Sequence, residues 1–195
     1  MADVYKRQLL LAILLIRQRL PDPVFAWSLR LGVLISFVGM IVAFLMTTPT
    51  AAQLEAAQAG AGMAVAGAHS VGVADGGPGL PLLGWSTVGG DLRVPHFFGL
   101  HALQVLPLIG GLLALDWSRR RLSERQRLAL VWTAGLGYLG LVLLLTWQAL
   151  RGQSIVAPDA LTLSAFAALI GIAALAASLT LLASRVTATR SQIRT

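Results

Sequence analysis

Four apolar stretches without a single charge, residues 31–53, 94–115, 128–150 and 160–184, set the terms for this chain. Each exceeds the roughly 18 residues that mark a membrane-spanning helix. Backbone groups in hydrocarbon have no water to bond, so runs of this length must satisfy themselves as helices. The expected fold class is all-α: a transmembrane helical bundle of four full spanning helices plus a truncated N-terminal helix. Residues 9–195 form a single domain in this reading, with an external Gly-rich loop at about 60–93. Composition agrees, with 56% hydrophobic and 12% charged residues. A net charge of +7 would raise nucleic acid as a partner for a soluble chain. Here the arginines sit at the ends of apolar runs, so they orient the chain in the lipid bilayer and no nucleic acid is expected. The chain has no Cys, which excludes disulfides and thiolate metal sites.

The start reads differently. DVYKRQ, residues 3–8, matches the translation of a transposon-end adapter, so residues 1–8 are expected to be non-native. Residues 9–16 add eight apolar positions before Arg17 and Arg19. That is about 12 Å of helix against a core of about 30 Å, as for a helix that has lost its first half.

Pro21 and Pro23 break this first segment, and a helix is expected over about 24–47. Thr50 and Gln53 have capping-box spacing, which predicts a short helix to Ala59 closed by Gly60. Further helices are expected over 94–116, 128–150 and 160–184. Arg17, Arg19 and Arg30 flank one connection, Arg119, Arg120, Arg121, Arg125 and Arg127 crowd another, and Arg185, Arg190 and Arg194 follow the last helix. Strict alternation puts all three clusters on one side. The positive-inside rule then places the C-terminus in the cytoplasm, the chain in the inner membrane and the Gly-rich loop outside. Small residues mark helix contacts in lipid, so Ala167, Gly171, Ala174 and Ser178, and likewise Thr133, Gly137 and Gly140, are expected to face neighbouring helices or a second copy.

The segment GGDLRVPHFFGLHALQ, residues 89–104, concentrates polar chemistry in an apolar setting. At about 100° per residue, His101 lies about 140° and Gln104 about 80° from His96, so the three share one broad face. Such groups usually face a bundle interior or a wet cavity. His101 is therefore expected to be buried, since an imidazole in lipid forfeits hydrogen bonds at roughly 1–3 kcal/mol. Pro107 beyond it removes a helix donor. Gln148, Thr146, Arg151, Asp159, Asp91, Arg93, His69 and Asp75 are the polar neighbours expected at the same end.

Three readings stay open. In one, His96, His101, Gln104, Gln148, Asp91 and Arg93 line an outward polar pocket, and the protein binds a small ligand there or acts as an accessory subunit. Alternatively, His96 or His101 serves a redox protein that binds haem, quinone or a metal, the metal set being His69, His96 and Asp91. The third reading is structural, with the histidines and Gln104 bonding helix to helix. The cofactor is unknown on all three. Other chemistry is excluded: three histidines are too few for a membrane di-iron centre, and no phosphate-binding Gly loop or nucleophile elbow is present. SRRRLSERQR, residues 118–127, reads as an orientation signal with anionic-lipid contact.

GDLRVPHFFGLHALQ, residues 90–104, together with WQALRGQ, residues 147–153, resembles segments of uncharacterised multi-pass bacterial membrane proteins. The resemblance implies an integral membrane protein and carries no activity.

Overall fold

A computed structural model of the chain describes residues 2–63 and 65–192. The order of elements is α1 (Ala2–Arg17), α2 (Pro23–Thr47), α3 (Ala51–Gln58), β1 (Ser70–Val71), β2 (Gly90–Asp91), α4 (Arg93–Ala114), α5 (Asp116–Arg121), α6 (Glu124–Leu150) and α7 (Ala160–Gln192). The fold is an all-α helical bundle. Helices α2, α4, α6 and α7 carry the four segments that are long and apolar enough to cross a membrane. This is compatible with an integral membrane protein.

Local chemistry explains the boundaries. Asp22 accepts the N–H groups of Val24 (2.8 Å) and Phe25 (3.0 Å), and Pro23 opens α2, where its missing donor costs nothing. Thr50 and Gln53 form the expected capping box, and α3 ends before Gly60 at φ +84°. Two ends differ from expectation. The helix expected over 94–116 stops at Ala114, and the Arg-rich connection forms its own short helix α5. The last helix runs on to Gln192. The Gly-rich loop is largely irregular and pairs with itself once, β1 with β2, antiparallel with Ser70 opposite Asp91.

The chain divides into two compact units, and each long helix contributes a segment to both. The first, arginine-rich unit comprises residues 1–36, 101–139 and 167–195. In it α2 and α4 cross closely: a Cβ on Gly32 would come within 2.9 Å of the Ala102 carbonyl oxygen, and one on Gly110 would collide with Ser28. Trp27 and Trp132 pack with ring centroids 4.8 Å apart, and the Gln126 amide donates to the Thr180 carbonyl (2.9 Å), tying α6 to α7. The second, loop-capped unit comprises residues 37–100 and 140–166. There a Cβ on Gly39 would stand 2.7 Å from the Gly99 Cα, and Gly90 lies so close to the Ala149 carbonyl that no side chain fits. Val42, Leu92 and Ala149 form its buried apolar cluster, with Met46 and Val71 against it.

The tight contacts therefore lie along Ser28, Gly32 and Gly39 of α2 and Gly99, Ala102 and Gly110 of α4. The stripe expected on the last helix behaves differently. Ala167, Gly171, Ala174 and Ser178 are all exposed, and a Cβ on Gly171 would meet nothing within 4 Å. Gly137, by contrast, approaches the Cβ of Ala173 as expected, with 3.7 Å for an added Cβ.

Candidate functional site

The loop-capped unit holds a continuous polar network around Asp91, whose side chain is only 2% exposed. One carboxylate oxygen, Oδ1, accepts the Arg93 N–H and Nε–H, both at 3.0 Å. The other, Oδ2, accepts the Ser86 N–H (2.8 Å) and Arg93 Nη2 (2.6 Å). Arg93 also donates to the Gly84 carbonyl (2.6 Å), pinning the loop to the first residue of α4. Further along, Ser154 Oγ donates to the Ser86 carbonyl (2.9 Å), and Gln148 Nε2 donates to the Ser154 carbonyl (2.8 Å). Gln148 at the end of α6 is thus linked through Ser154 and Ser86 to Asp91. Burial alone would raise the Asp91 carboxyl, but the Arg93 guanidinium and the Ser86 N–H outweigh it and hold it below the usual carboxylate range.

Asp75 repeats the device in the loop. It accepts the N–H groups of Ser70 (2.8 Å) and His69 (3.1 Å), and these bonds overcome desolvation to lower its carboxyl. His69 Nδ1 lies 3.3 Å from Asp75 and 3.8 Å from Asp91. These groups border a cavity of about 80 Å³ lined by His69, Ser70, Ser86, Arg93 and loop glycines. The carboxylate oxygens are taken up by N–H donors, and among the described residues no group of three or more His, Asp or Glu could hold a metal ion. The metal set His69, His96 and Asp91 thus finds no counterpart there.

His96 sits on the first turn of α4, and its Nδ1 lies 2.8 Å from the Gly39 carbonyl of α2. A carbonyl only accepts, so it is the Nδ1–H of His96 that donates. His101 and Gln104 are exposed, which corrects the expectation that His101 is buried. Gly99, Ala102, Leu106 and Gly110 take the buried face of α4, and His101 lies about 100° off Ala102 around the helix. Close backbone packing, not polarity, decides which face turns inward.

A larger groove lies elsewhere in the same unit. Its volume is about 350 Å³, and Phe98, Leu141, Leu145, Ile155, Leu163 and Phe166 line it together with the polar Gln148 and Thr162. The apolar wall follows from α6 and α7 offering Leu and Phe at helical spacing. A polar cluster stands beside it. Arg151 pairs with Asp159, donates to Thr162 Oγ1 (3.1 Å) and lies 4.5 Å from the Trp147 ring centroid. Asp159 in turn accepts the Thr162 N–H (2.8 Å) at the start of α7. Arg151 and these hydrogen bonds hold the Asp159 carboxyl well below its usual range.

Of the sequence-derived candidates, the structure joins Asp91, Arg93 and Gln148 in one network. His96 is used in a helix contact, and His101 and Gln104 are left on the surface. The groove was missed, since Leu and Phe in a spanning run look alike whether they face lipid or a cavity. Ser86, Ser154 and Thr162 carry bonds that no spacing announces. No protein-family model, curated protein or solved structure matches the chain.

Proposed function

We propose that the chain is a non-catalytic integral membrane protein that binds a lipid-like ligand in the groove between α6 and α7, with the Gly-rich loop outside and the arginine-rich connections in the cytoplasm. The observation that carries this reading is the groove itself. Its volume of about 350 Å³ falls in the range of ligand pockets, roughly 300–1,000 Å³, and its lining is apolar apart from Gln148 and Thr162. Such a site takes a hydrocarbon chain and offers hydrogen bonds for a polar head at one end only. The network through Ser154 and Ser86 to Asp91 fixes the Gln148 amide before any ligand arrives, so little ordering is left for binding to drive. The test is mass spectrometry of lipids retained by the full chain after purification in mild detergent. Leu145→Trp, which fills the groove, should abolish a retained species that the unaltered chain keeps. Equal retention by both would end this reading.

A second reading rests on His96. With Nδ1–H given to the Gly39 carbonyl, Nε2 is the nitrogen left to ligate, and histidine ligands of metals commonly give their other ring N–H to a backbone carbonyl in this way. A visible absorption spectrum of the same preparation, lost in His96→Ala, would favour a redox protein over a lipid binder.

A further inference from the structure

The loop segment PGLPLLGW, residues 78–85, is built as a rigid finger. The Leu80 N–H donates to the Trp85 carbonyl (2.8 Å), the Gly84 N–H to the Leu80 carbonyl (2.8 Å), and the Thr87 N–H to the Pro78 carbonyl (3.0 Å). Gly79 and Ser86 bridge across its base, and a Cβ on Gly79 would stand 2.7 Å from the Gly84 carbonyl oxygen. The Arg93 guanidinium holds the Gly84 carbonyl from below. So firmly tied a base would suit a buried tip, yet the tip is bare. Leu82 is fully exposed, Leu83 is 49% exposed and Val88 57%. Leu82 also takes φ +67°, the one described residue other than glycine in the left-handed region, where a branched apolar side chain is costly. A chain that needed only a turn would place Gly or Asn there.

The base of the finger indicates what covers the tip. Trp85 is buried, and its ring packs edge-on against Phe97, centroids 5.4 Å apart, and near Phe98. Both phenylalanines lie in the first two turns of α4, a helix long and apolar enough to span a membrane, and Phe97 is 38% exposed. The finger therefore springs from the rim of a spanning helix, next to its lipid-facing surface. Residues 76–90 contain no charged side chain, so nothing opposes entry into the headgroup region. We propose that Leu82 and Leu83 are a membrane anchor: the finger folds back and seats these side chains in the bilayer that α4 crosses. The fixed backbone presents Leu82 outward without the entropy cost that a loose loop would meet on insertion. The proposal rests on α4 crossing the bilayer and is independent of the groove and its ligand.

The chain has no Cys, so Leu82→Cys and Gly77→Cys each give one labelling site for an environment-sensitive fluorophore. Gly77 is exposed and belongs to the same loop, away from the finger's tip. The full chain is reconstituted in phosphatidylcholine vesicles with and without nitroxide-bearing lipid. The expected result is a blue-shifted label at position 82 whose quenching by the lipid nitroxide is several-fold stronger than at position 77. Equal, water-like emission at both positions would overturn the proposal. A blue shift at 82 without lipid quenching would also overturn it, by placing the tip against protein. As a second measurement, Leu82→Gly removes both the apolar side chain and the strain. It should unfold no earlier than the unaltered chain in detergent, while Val88→Cys, labelled in that background, loses lipid quenching. Undiminished quenching there would count against the anchor.

Discussion

Asp91 and Asp22 are both carboxylates set beside arginines at a helix start, yet their surroundings differ in kind. Asp91, in the loop-capped unit, has a side chain 2% exposed and four N–H donors on its two oxygens. Asp22, in the arginine-rich unit, is 20% exposed. It caps α2, pairs with Arg119 and has the Arg127 Nη1 at 3.9 Å. Among the described residues, the buried side-chain atoms without a hydrogen-bond partner are Arg30 Nε, Ser118 Oγ and Arg127 Nε, and all three belong to the arginine-rich unit. The loop-capped unit closes its polar accounts internally. The arginine-rich unit leaves these three buried atoms without a partner. A ligand site is expected where the frame is already complete, and the groove lies in the loop-capped unit.

The comparison is most easily broken at the two carboxylates. Asp91→Ala strands Arg93 and the Ser86 N–H at once, and it should cost roughly 3 kcal/mol, near the lower bound for a broken buried pair because Arg93 remains partly exposed. Asp22→Ala loses a helix cap and a surface pair, and it should cost about 1–2 kcal/mol. Unfolding of the two variants in mixed micelles checks the order; an Asp22 effect as large as that of Asp91 would erase the contrast.

Glycines sharpen it within one fold. Gly39→Ala drives a Cβ to 2.7 Å from the Gly99 Cα, backbone that cannot swing away, and should cost about 1–3 kcal/mol. Gly171→Ala meets nothing within 4 Å and should be neutral or slightly stabilising through helix propensity. If instead Gly171→Ala disrupts a dimer seen by crosslinking, the exposed small-residue face of α7 is a contact between copies.

The smallest effect is that of acid. Asp91 and Asp75 are held below their usual value of 3.8, so each stabilises the loop fully above that pH. The contribution is lost as pH falls below 3.8 through the lowered folded-state values. Proteolysis of the loop at residues 76–84 should accelerate only in that window, and a loss already complete at higher pH would contradict the role given to these two carboxylates.

How far the sequence reached follows from what each signal encodes. Run length and the absence of charge identify four helices because hydrocarbon thickness admits no other solution. Thr50 and Gln53 announce a cap because capping is local chemistry. Asp91 and Arg93 stood out as polar neighbours of the segment, and their pairing is equally local, being two residues apart. Ser154 meeting Ser86 is not local, and neither is Gly39 meeting Gly99. The face of α4 was misread because His96, His101 and Gln104 were measured against one another. The small residues Gly99, Ala102 and Gly110, where α2 approaches most closely, set the buried side instead. The Arg-rich segment was read as a connection, and its six-residue helix α5 shows no period that so short a stretch could display.

The central claim, that the loop-capped unit is a closed frame held by Asp91, is tested most directly by hydrogen exchange on the full chain in lipid nanodiscs. The N–H groups of Ser86, Gly89 and Leu92 are all bonded within that unit, to Asp91, Ser86 Oγ and the His69 carbonyl respectively. They should exchange orders of magnitude more slowly than an unstructured loop, and Asp91→Asn should expose all three together while leaving Leu122 and Arg127 of the arginine-rich unit unchanged. Fast exchange at the three amides in the unaltered chain, or protection that survives Asp91→Asn, would contradict the account.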